Sequence, residues 1–548
     1  MSNKESGPQS GYLSRHITRR DMLKGAAAVV VGATFGPALA GCSSSETTTT
    51  TTAAGGGPAK TGGHLRVAAG AGSAKEDLNI HGPALTPPSM AMRFNMYDSL
   101  LEFDHAGVLG MALAEMLEPN ADGTQFTVRL KSDLVFHDGS AVNADAVVYS
   151  FNRILDPDNP GLAAKQLRGL TPNGIVKVDD LTVRFELEVA NAIFPEALSA
   201  YSAGIVPVGY DPKAGDGAIG TGPFMLAKPG DFQPGIQAVF AKNPNYWRQD
   251  GGPYVDQLSI IEFADTTAQL NALLGGAADY CQMIAGAQRE IATGAGFTLL
   301  EAKTGSWIPF TMNCTAKPFD DVRVRQAFRL IVNRPEMIAQ AADGLQWVGN
   351  DMYAPFDPGY PGDLPQREQD LEKAKALLKE AGQEDLTIKL TTSTSVSSGA
   401  PAAATVFAQQ AKGAGVTVEV DEVNGDVFWG DEYLKYPFAM DNWGTRGYLA
   451  QAGFGSLPGA VYNETHFGET SPSYVSLVEE AFGTVDDAKR NELIKEAATL
   501  EHEEGGYIVY GFDMQVDAHA ENVQGAMPDF SGLASAAGGS RYRLVSLA

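Results

Sequence analysis

The sequence predicts an α/β fold divided into two or three lobes. From His64 onwards, short apolar segments broken by Gly, Pro and Asp are mixed with fewer amphipathic helical segments, a pattern typical of α/β or α+β domains. Residues 1–41 do not read as part of a fold, and their removal leaves 507 residues. Because a single hydrophobic core rarely grows to that size, several lobes are expected.

One strand and one helix near residue 130 are clear. Asp122-Gly123 predicts a turn, and apolar residues then alternate with polar ones across 125–130, which predicts a half-buried strand. In the segment 140–155, apolar residues recur at helical spacing after Asn143. This pattern predicts an amphipathic helix with Asn143 as its N-cap.

Three later segments also predict helices. The first should begin at a Thr cap, end at Gly275-Gly276 and lead into a strand near Tyr280. Residues 320–344 predict two helices separated by a break at Pro335. Residues 369–382 predict a helix with one apolar face that stops at Gly382.

The first 63 residues indicate export and anchoring. Arg19-Arg20 precede a short run of Ala, Val and Gly residues, which is too short and too weakly apolar to span a membrane stably. The arginine pair resembles a twin-arginine signal, and Leu39–Cys42 resembles a bacterial lipobox in which Cys42 is lipidated. Residues 42–63 hold almost no large apolar side chain, so a disordered tether is expected. We therefore expect an extracytoplasmic, lipid-anchored protein on the outer face of a bacterial membrane.

The composition excludes several functions. The net charge is −26, and it is about −29 without the basic first 41 residues, which argues against nucleic acid or anionic lipid as a partner of the body. The sequence has no HExxH, GxSxG, P-loop or dinucleotide-binding fingerprint. Cys281 and Cys314 permit one disulfide, although two unpaired buried thiols are the expected state. No cofactor, metal site or catalytic residue is expected.

Seven motifs in order carry a family resemblance. They are "YDSLLEFD" (97–104), "LAEMLEPNADGTQFTVRLKSDLVFHDG" (113–139), "GTGPF" (220–224), "KNPNYW" (242–247), "LNALLGGAAD" (270–279), "KPFDDVRVRQAFRLIVNR" (317–334) and "LEKAKALLKEAG" (371–382). Together they resemble the extracytoplasmic solute-binding proteins of peptide/nickel-type ABC transporters, solute-binding family 5. Ala146 and Asn333 stand where that family usually has Asp.

The resemblance implies a periplasmic-binding-protein-like fold of type II, cluster C, with two main lobes, an inserted third lobe and a hinged cleft. Lobe Ia would comprise 64–105, 215–305 and 513–548. Lobe Ib would cover 106–214, and lobe II would cover 306–512. The lobes would close over a solute, and the closed protein, expected to be a monomer, would dock on an ABC permease.

The segment 428–467 is the most informative about the solute. In peptide-binding members of the family, the stretch resembling Asn442–Tyr448 reads Trp-x-x-Asp, and the acid pairs with the amino terminus of the peptide. Here Trp443 is followed by Arg446, which suits a carboxylate or phosphate instead. We therefore expect an anionic or strongly hydrogen-bonding group at this point, as in a modified peptide, an opine-like conjugate or a sugar derivative; a structural salt bridge is the alternative role of Arg446.

Further candidate ligand contacts surround this position. Trp443, Tyr448 and Trp429 suit a pocket wall that is apolar but wet at one edge, and all three are candidate ligand contacts. Asn463 and His466 lie in "YNETHF", which resembles a cleft region of the family, and Arg93 is a candidate on the opposing lobe. Each of these residues also has an ordinary structural interpretation, as core or as a satisfied polar group.

The expected function is solute capture for import, without chemistry on the solute. A peptide or peptide-like ligand is the main expectation, with an anionic non-peptide solute and a permease-free surface receptor as alternatives. Nickel is a weaker expectation because His is scarce and soft ligands are not clustered. An extracellular hydrolase would need a nucleophile, metal or acid-pair motif that the sequence lacks.

Overall fold

A computed structural model describes residues 59–548 except 71, 83–85, 213–217, 229, 249–250 and 531–537. Arg19, Arg20, Cys42 and all but the last residues of the expected tether lie outside the described residues. Residues Lys60–Ala548 form one compact unit. The division of this unit into lobes Ia, Ib and II stays a prediction.

The strands of the described chain are numbered in order. They are β1 His64–Gly70, β2 Leu101–Phe103, β3 Leu109–Met111, β4 Ala114–Pro119, β5 Gln125–Leu130, β6 Leu170–Lys177, β7 Thr182–Leu187, β8 Phe224–Leu226, β9 Phe232–Gln233, β10 Gln237–Lys242, β11 Gln257–Phe263, β12 Tyr280–Cys281, β13 Thr298–Trp307, β14 Phe310–Met312, β15 Gln346–Val348, β16 Thr387–Thr392, β17 Thr417–Glu422, β18 Phe438–Met440, β19 Tyr507–Ile508, β20 Gly511–His519, β21 Val523–Gln524 and β22 Ser546–Leu547.

The α-helices of the same residues follow the same rule. They are α1 Pro87–Met96, α2 Ala144–Ile154, α3 Phe194–Ala197, α4 Thr266–Leu274, α5 Arg289–Gly294, α6 Val322–Ile331, α7 Arg334–Ala341, α8 Leu371–Glu380, α9 Ala400–Lys412, α10 Gly425–Phe428, α11 Tyr448–Gly455, α12 Phe467–Thr470, α13 Pro472–Phe482 and α14 Asp487–Glu504. Short 3-10 helices span Leu162–Gln166, Tyr201–Ala203, Gly286–Gln288 and Tyr542–Leu544.

Three sheets organise the compact unit. The largest has nine strands, ordered β13-β20-β12-β1-β11-β10-β8, with β15 added to β20 and β9 to β10. A five-stranded sheet has the order β17-β16-β18-β14-β19, and a four-stranded antiparallel sheet has the order β4-β5-β7-β6. The large sheet mixes parallel β1–β11 pairing with antiparallel β10–β11 and β13–β20 pairing. The predicted mixed α/β architecture is confirmed.

Local sequence signals near β5 are confirmed. Phe126, Val128 and Leu130 are buried, and Gly123 adopts φ +68° in the preceding turn, a conformation that glycine tolerates without strain. The Asn143 side chain accepts a hydrogen bond from the Ala146 backbone N–H at 3.1 Å and so caps α2.

Two predicted helix ends need correction. The N-cap of α4 is Asp265, not a Thr, because the Asp265 carboxylate accepts from the Ala268 N–H at 2.8 Å, while Thr266 is the first residue of the helix. The break in 320–344 comes before Pro335, since α6 ends at Ile331 and Pro335 lies in the first turn of α7, where its missing N–H costs nothing. Gly382 ends the α8 segment at φ +69°, as predicted.

Cys281 and Cys314 are buried free thiols, as expected from the sequence. Burial, and secondarily Asp517, raises the pKa of Cys281 to about 12, and burial raises that of Cys314 to about 11. Both thiols therefore stay protonated and unreactive at neutral pH. Among the described residues, no helix is long and apolar enough to cross a bilayer.

Candidate functional site

The site forms where the nine-stranded and five-stranded sheets meet. Trp307 is the last residue of β13 in the large sheet, whereas Trp443 follows β18 in the smaller one. Their backbones form an isolated antiparallel bridge, with N–H to O distances of 2.9 and 3.0 Å. Their indole rings stack with centroids 6.3 Å apart. This bridge fixes the segment 441–448 against the end of β13.

Arg446 lies in a cluster of aromatic rings. Its guanidinium carbon is 5.4 Å from the ring centroids of both Trp443 and Phe454. Tyr462 completes the cluster, since its ring packs edge-on against Trp443 and stacks on Phe454. We call these four residues the Arg446 cluster. Cation–π contact of this kind stabilises a guanidinium but does not neutralise it.

The charge of Arg446 has no counterion among the described residues. No carboxylate of the described chain lies within 4 Å of its guanidinium, and its one recorded hydrogen bond is a long one, 3.5 Å from Nη1 to Gln451 Oε1. Desolvation lowers its pKa, although the group stays charged at neutral pH. A guanidinium has five N–H donors, so most of them remain available for an acceptor. The structure therefore shows no salt bridge of Arg446 within the described residues.

A second cation approaches the cluster from the region of the four-stranded sheet. Lys165, in the 3-10 helix Leu162–Gln166 that precedes β6, places its Nζ 3.3 Å from the Tyr462 hydroxyl and 5.2 Å from the ring centroid. Nearby, Arg168 pairs with Glu479 of α13 at 2.6 Å. The 162–168 segment therefore contacts the elements that carry the Arg446 cluster, and Lys165 and Arg446 present two positive charges beside one tyrosine ring.

Trp443 and Tyr448 are placed more deeply than a pocket wall requires. Trp443 is 7% exposed, with one ring face toward Arg446. Tyr448 is 1% exposed, stacks on Tyr353 and donates its hydroxyl to Glu501 Oε2 at 2.9 Å. Tyr448 thus belongs to the buried aromatic core behind the site, and its role as a ligand contact stays a prediction.

His466 and Asn463 hold the neighbouring loop together. The His466 ring nitrogens contact Glu469 Oε1 at 2.9 Å and the Leu434 carbonyl at 3.0 Å, and its backbone N–H donates to Asn463 Oδ1. His466 has φ +53°, a strained value for a residue with a Cβ. Both side chains are engaged in shaping the loop, so neither is shown to face a solute. The described residues contain no group of three metal-ligating side chains.

Trp429 and Arg93 lie apart from the cluster. Trp429 is 39% exposed and packs against Phe428 and Tyr433. Arg93 is 1% exposed and is ion-paired with Asp77 at 2.9 Å, while Nη1 donates to the Gly82 carbonyl at 2.8 Å. Arg93, in α1, therefore has its ion-pair partner in the segment that precedes this helix. Ligand contact by either residue stays a prediction.

Sequence reasoning missed five residues of this region. Phe454 and Tyr462 belong to the Arg446 cluster and Lys165 contacts it, and no local motif marks these three residues. Asp441 and Glu464, each 4% exposed, lie beside Trp443, whose indole N–H donates to Glu464 Oε1. Their signal was available, since each is an acidic residue in an otherwise apolar or aromatic stretch of 438–467.

A cation among aromatic rings at the junction of two sheets can hold a solute, so this arrangement is a candidate binding site. Residues 109–462 match the family "Bacterial extracellular solute-binding proteins, family 5 Middle". The match covers more than half of the chain, and the chain therefore belongs to this family of extracytoplasmic binding proteins, which are not enzymes.

Individual relatives agree with this membership. The chain is 28% identical over 457 residues to di/tripeptide-binding protein 2 of Pseudomonas aeruginosa, covering 76% of this chain and 83% of the relative. It is 27% identical over 474 residues to the dipeptide-binding protein of Escherichia coli K12, covering 79% and 86%. The structure of AgaA from A. tumefaciens R10 in complex with agropinic acid superposes with a TM-score of 0.72 at 22% identity, over 89% of this chain and 99% of that one. These structural likenesses confirm the type II binding-protein fold.

Proposed function

We propose that this protein captures a peptide or peptide-like solute that carries an anionic group, and that Arg446 binds this group in the cleft between lobes. The observation that carries the proposal is the guanidinium of Arg446, enclosed by Trp443, Phe454 and Tyr462 without a carboxylate partner. An unpaired charge in a partly buried site costs free energy. A carboxylate or phosphate of the solute would remove that cost and accept a bidentate pair of hydrogen bonds.

Lys165 supports a role for the same site in closure. Lys165 approaches Tyr462 from the region of the four-stranded sheet. A solute anion bound to Arg446 would therefore also attract the ammonium group of Lys165, on the opposite side of the proposed cleft. Contacts to both sides give the closed state its differential affinity for the solute, and only that difference drives closure. Lys165 lies in the expected lobe Ib and Arg446 in the expected lobe II, so a solute anion that contacts both side chains would link these two lobes.

The names of relatives support a short peptide as the solute class. Two of them are described as binding di- or tripeptides and dipeptides. A second candidate is an anionic non-peptide solute, favoured by the unpaired Arg446 and by the likeness to a protein holding agropinic acid. We further propose lipid anchoring at Cys42 after twin-arginine export, a monomeric state, and delivery of the solute to an ABC permease.

Native mass spectrometry of the gently purified protein tests the proposed solute. We expect an anionic small molecule or short peptide to co-purify with the wild type and to be lost from Arg446→Ala. Arg184→Ala is the matched control, since Arg184 pairs with Glu186 on the exposed face of β7. Retention of the same solute by Arg446→Ala would refute the role of Arg446, and turnover of the solute by the pure protein would refute a binding function.

A further inference from the structure

One surface joins the side of the four-stranded sheet to helix α13. In the segment between β7 and α3, the Ala192 backbone N–H donates to the Phe482 carbonyl at the end of α13 at 2.7 Å. The neighbouring Ile193 packs against the buried aromatic core behind the site. Arg168 pairs with Glu479 of α13 at 2.6 Å. We call this surface the α3–α13 interface, and it joins residues of the expected lobes Ib and II.

Glu196 brings a carboxyl group to this interface, beside an aspartate from the other side. Glu196 lies in α3, within the expected lobe Ib, and Asp357 lies between β15 and α8, within the expected lobe II. A Cβ placed on Gly447 would lie 3.1 Å from Glu196 Oε2 and 3.4 Å from Asp357 Oδ2. Two half-buried carboxyl groups, one from each expected lobe, therefore lie against the residue that follows Arg446.

The two carboxyl groups differ in their hydrogen bonds. Asp357 Oδ2 accepts from the Tyr448 backbone N–H at 2.7 Å, and Oδ1 accepts from that of Gly359 at 2.8 Å. Such bonds favour the ionised form of a carboxyl group. Within the described residues, the hydrogen bonds of Glu196 involve its backbone, as where its carbonyl accepts from the Ser199 hydroxyl at 2.7 Å. Of the two acids, Glu196 is therefore the one that more easily holds a proton.

The charges around Glu196 act in the same direction. Burial, and then the charge of Asp357, raise the pKa of Glu196 to about 8, against a smaller opposite effect of Arg490. Burial also raises the pKa of Asp357, while its backbone hydrogen bonds and Arg490 lower it. Arg490, on α14, is ion-paired with Asp487. Within α3, Glu196 is the only titratable residue. Contact between the two sides thus brings one carboxyl group up to another, and a proton on Glu196 removes their repulsion.

We propose that Glu196 is a positioning residue that couples closure to a proton: the expected lobes close over the solute with Glu196 protonated, and its ionisation favours the open state. This inference rests on the proposed function, because it concerns the closure that follows capture at Arg446. When the lobes separate, Glu196 moves away from Asp357 and regains water. Closure therefore takes up a proton, in addition to binding the solute.

The direction of the pH dependence follows from the two states of Glu196. In the open state its pKa returns towards the ordinary value of 4.5, whereas in the closed state it is about 8. Below both values Glu196 is protonated in either state, and closure is unaffected. Between them, closure should weaken by up to about tenfold per pH unit, because one proton must be taken up. Above both values the dependence should level off. Capture is thus favoured in acidic surroundings.

A pair of engineered thiols can report closure without knowledge of the solute. A Cβ placed on Gly483 would lie 3.8 Å from the Cβ of Ala190, on the other side of the α3–α13 interface. This is the usual Cβ separation in a disulfide. In the full chain carrying Ala190→Cys and Gly483→Cys, equilibration with reduced and oxidised glutathione gives the effective concentration of the two thiols. That concentration rises with the fraction of molecules in which the interface is formed.

The test compares this thiol pair with and without Glu196→Gln at pH 6, 7 and 8. The ratio of the two effective concentrations cancels the ionisation of the thiols themselves, which both proteins share. We expect the protein that keeps Glu196 to lose at least about tenfold in effective concentration, relative to Glu196→Gln, between pH 6 and pH 8. Asp357→Asn removes the facing charge from the other side and should make this loss smaller.

The control is Glu186→Gln, since Glu186 pairs with Arg184 on the exposed face of β7 and should leave the loss unchanged. A ratio that stays constant from pH 6 to pH 8 would overturn the role of Glu196, as would an equal effect of Glu186→Gln. Either result would leave capture at Arg446 intact, because native mass spectrometry tests it separately. If the thiols pair at no pH in any variant, the proposed closure fails together with this inference.

Discussion

Arg334 and Arg446 are both withdrawn from solvent, yet the protein treats their charges in opposite ways. Arg334 is 2% exposed and donates to Asp351 at 2.6 Å, and Arg367 donates to the same carboxylate oxygen at 2.6 Å. Although burial raises the pKa of Asp351, the two arginines lower it to about 2. Arg446 has aromatic rings around it and, among the described residues, no carboxylate partner. The charge of Arg334 is thus satisfied within the fold, whereas that of Arg446 is left for the proposed ligand.

Among the substitutions considered, Asp351→Asn should cause the largest loss of stability, because it removes the carboxylate that pairs with Arg334 and Arg367. It leaves Arg334 buried without a counterion and Arg367 with only the longer contact to Glu503 at 3.8 Å, so we expect the free energy of unfolding to fall by about 3–5 kcal/mol. Urea unfolding would measure the loss. The matched control is Asp363→Asn, whose exposed pair with Lys495 should be worth less than about 1 kcal/mol. Equal losses in the two variants would contradict this assignment.

His81 is a third case: a buried titratable side chain that the fold keeps neutral rather than paired with an opposite charge. Its Nδ1 accepts from Arg153 at 2.8 Å, and its Nε2 contacts the Gly204 carbonyl at 2.8 Å. Burial lowers its pKa to about 3. Since the unfolded state, with a pKa near 6.5, binds the proton first, stability should decline by a few kcal/mol as the pH falls from about 6.5 to 3.

The pH dependence of the unfolding midpoint in His81→Gln checks this effect. The variant keeps hydrogen-bonding groups but cannot titrate, so its stability should change less over the same acidic range. His105→Gln should follow the wild-type curve. A His81→Gln curve that also coincides with the wild type would show that other groups cause the acid sensitivity.

Arg446→Met should have the smallest effect on stability. The substitution removes an unpaired charge and keeps an apolar side chain against Trp443 and Phe454, so the free energy of unfolding should change by less than about 1 kcal/mol. Arg334→Met, its matched counterpart, should lose several kcal/mol because Asp351 would stay buried with one partner fewer. A large loss in Arg446→Met would mean that the guanidinium serves the fold after all.

Local signals explain what the sequence could predict. Alternation in 125–130, the Asn143 cap and the Gly382 stop depend on residues within one turn of each other, so they are readable from the chain. The α4 cap was misassigned because Asp265 and Thr266 are both good caps and only the hydrogen bond to Ala268 decides between them.

Only part of the candidate site could be predicted from the sequence, because several of its residues meet through tertiary contacts and not through a local motif. Arg446 stood out because it replaces an expected acid three residues after Trp443. Lys165 reaches Tyr462 across 297 positions of sequence, and no local motif brings these two residues together. Tyr448 was chosen as an amphipathic aromatic beside the motif, and only the structure shows that its hydroxyl donates to Glu501 within the core; its contact with a solute stays a prediction.

The backbone bridge between Trp307 and Trp443 should affect the rate at which a bound solute leaves the proposed site. Trp307 ends a strand of the nine-stranded sheet, after an irregularity in register between Lys303 and Trp307, yet its backbone pairs with a residue that follows the five-stranded sheet. Any rotation of one sheet against the other must therefore turn the indole wall of the site. Solutes of different size would strain this backbone bridge to different extents. Their residence times would depend on the stiffness of the bridge, and two solutes bound with equal affinity would dissociate at unequal rates.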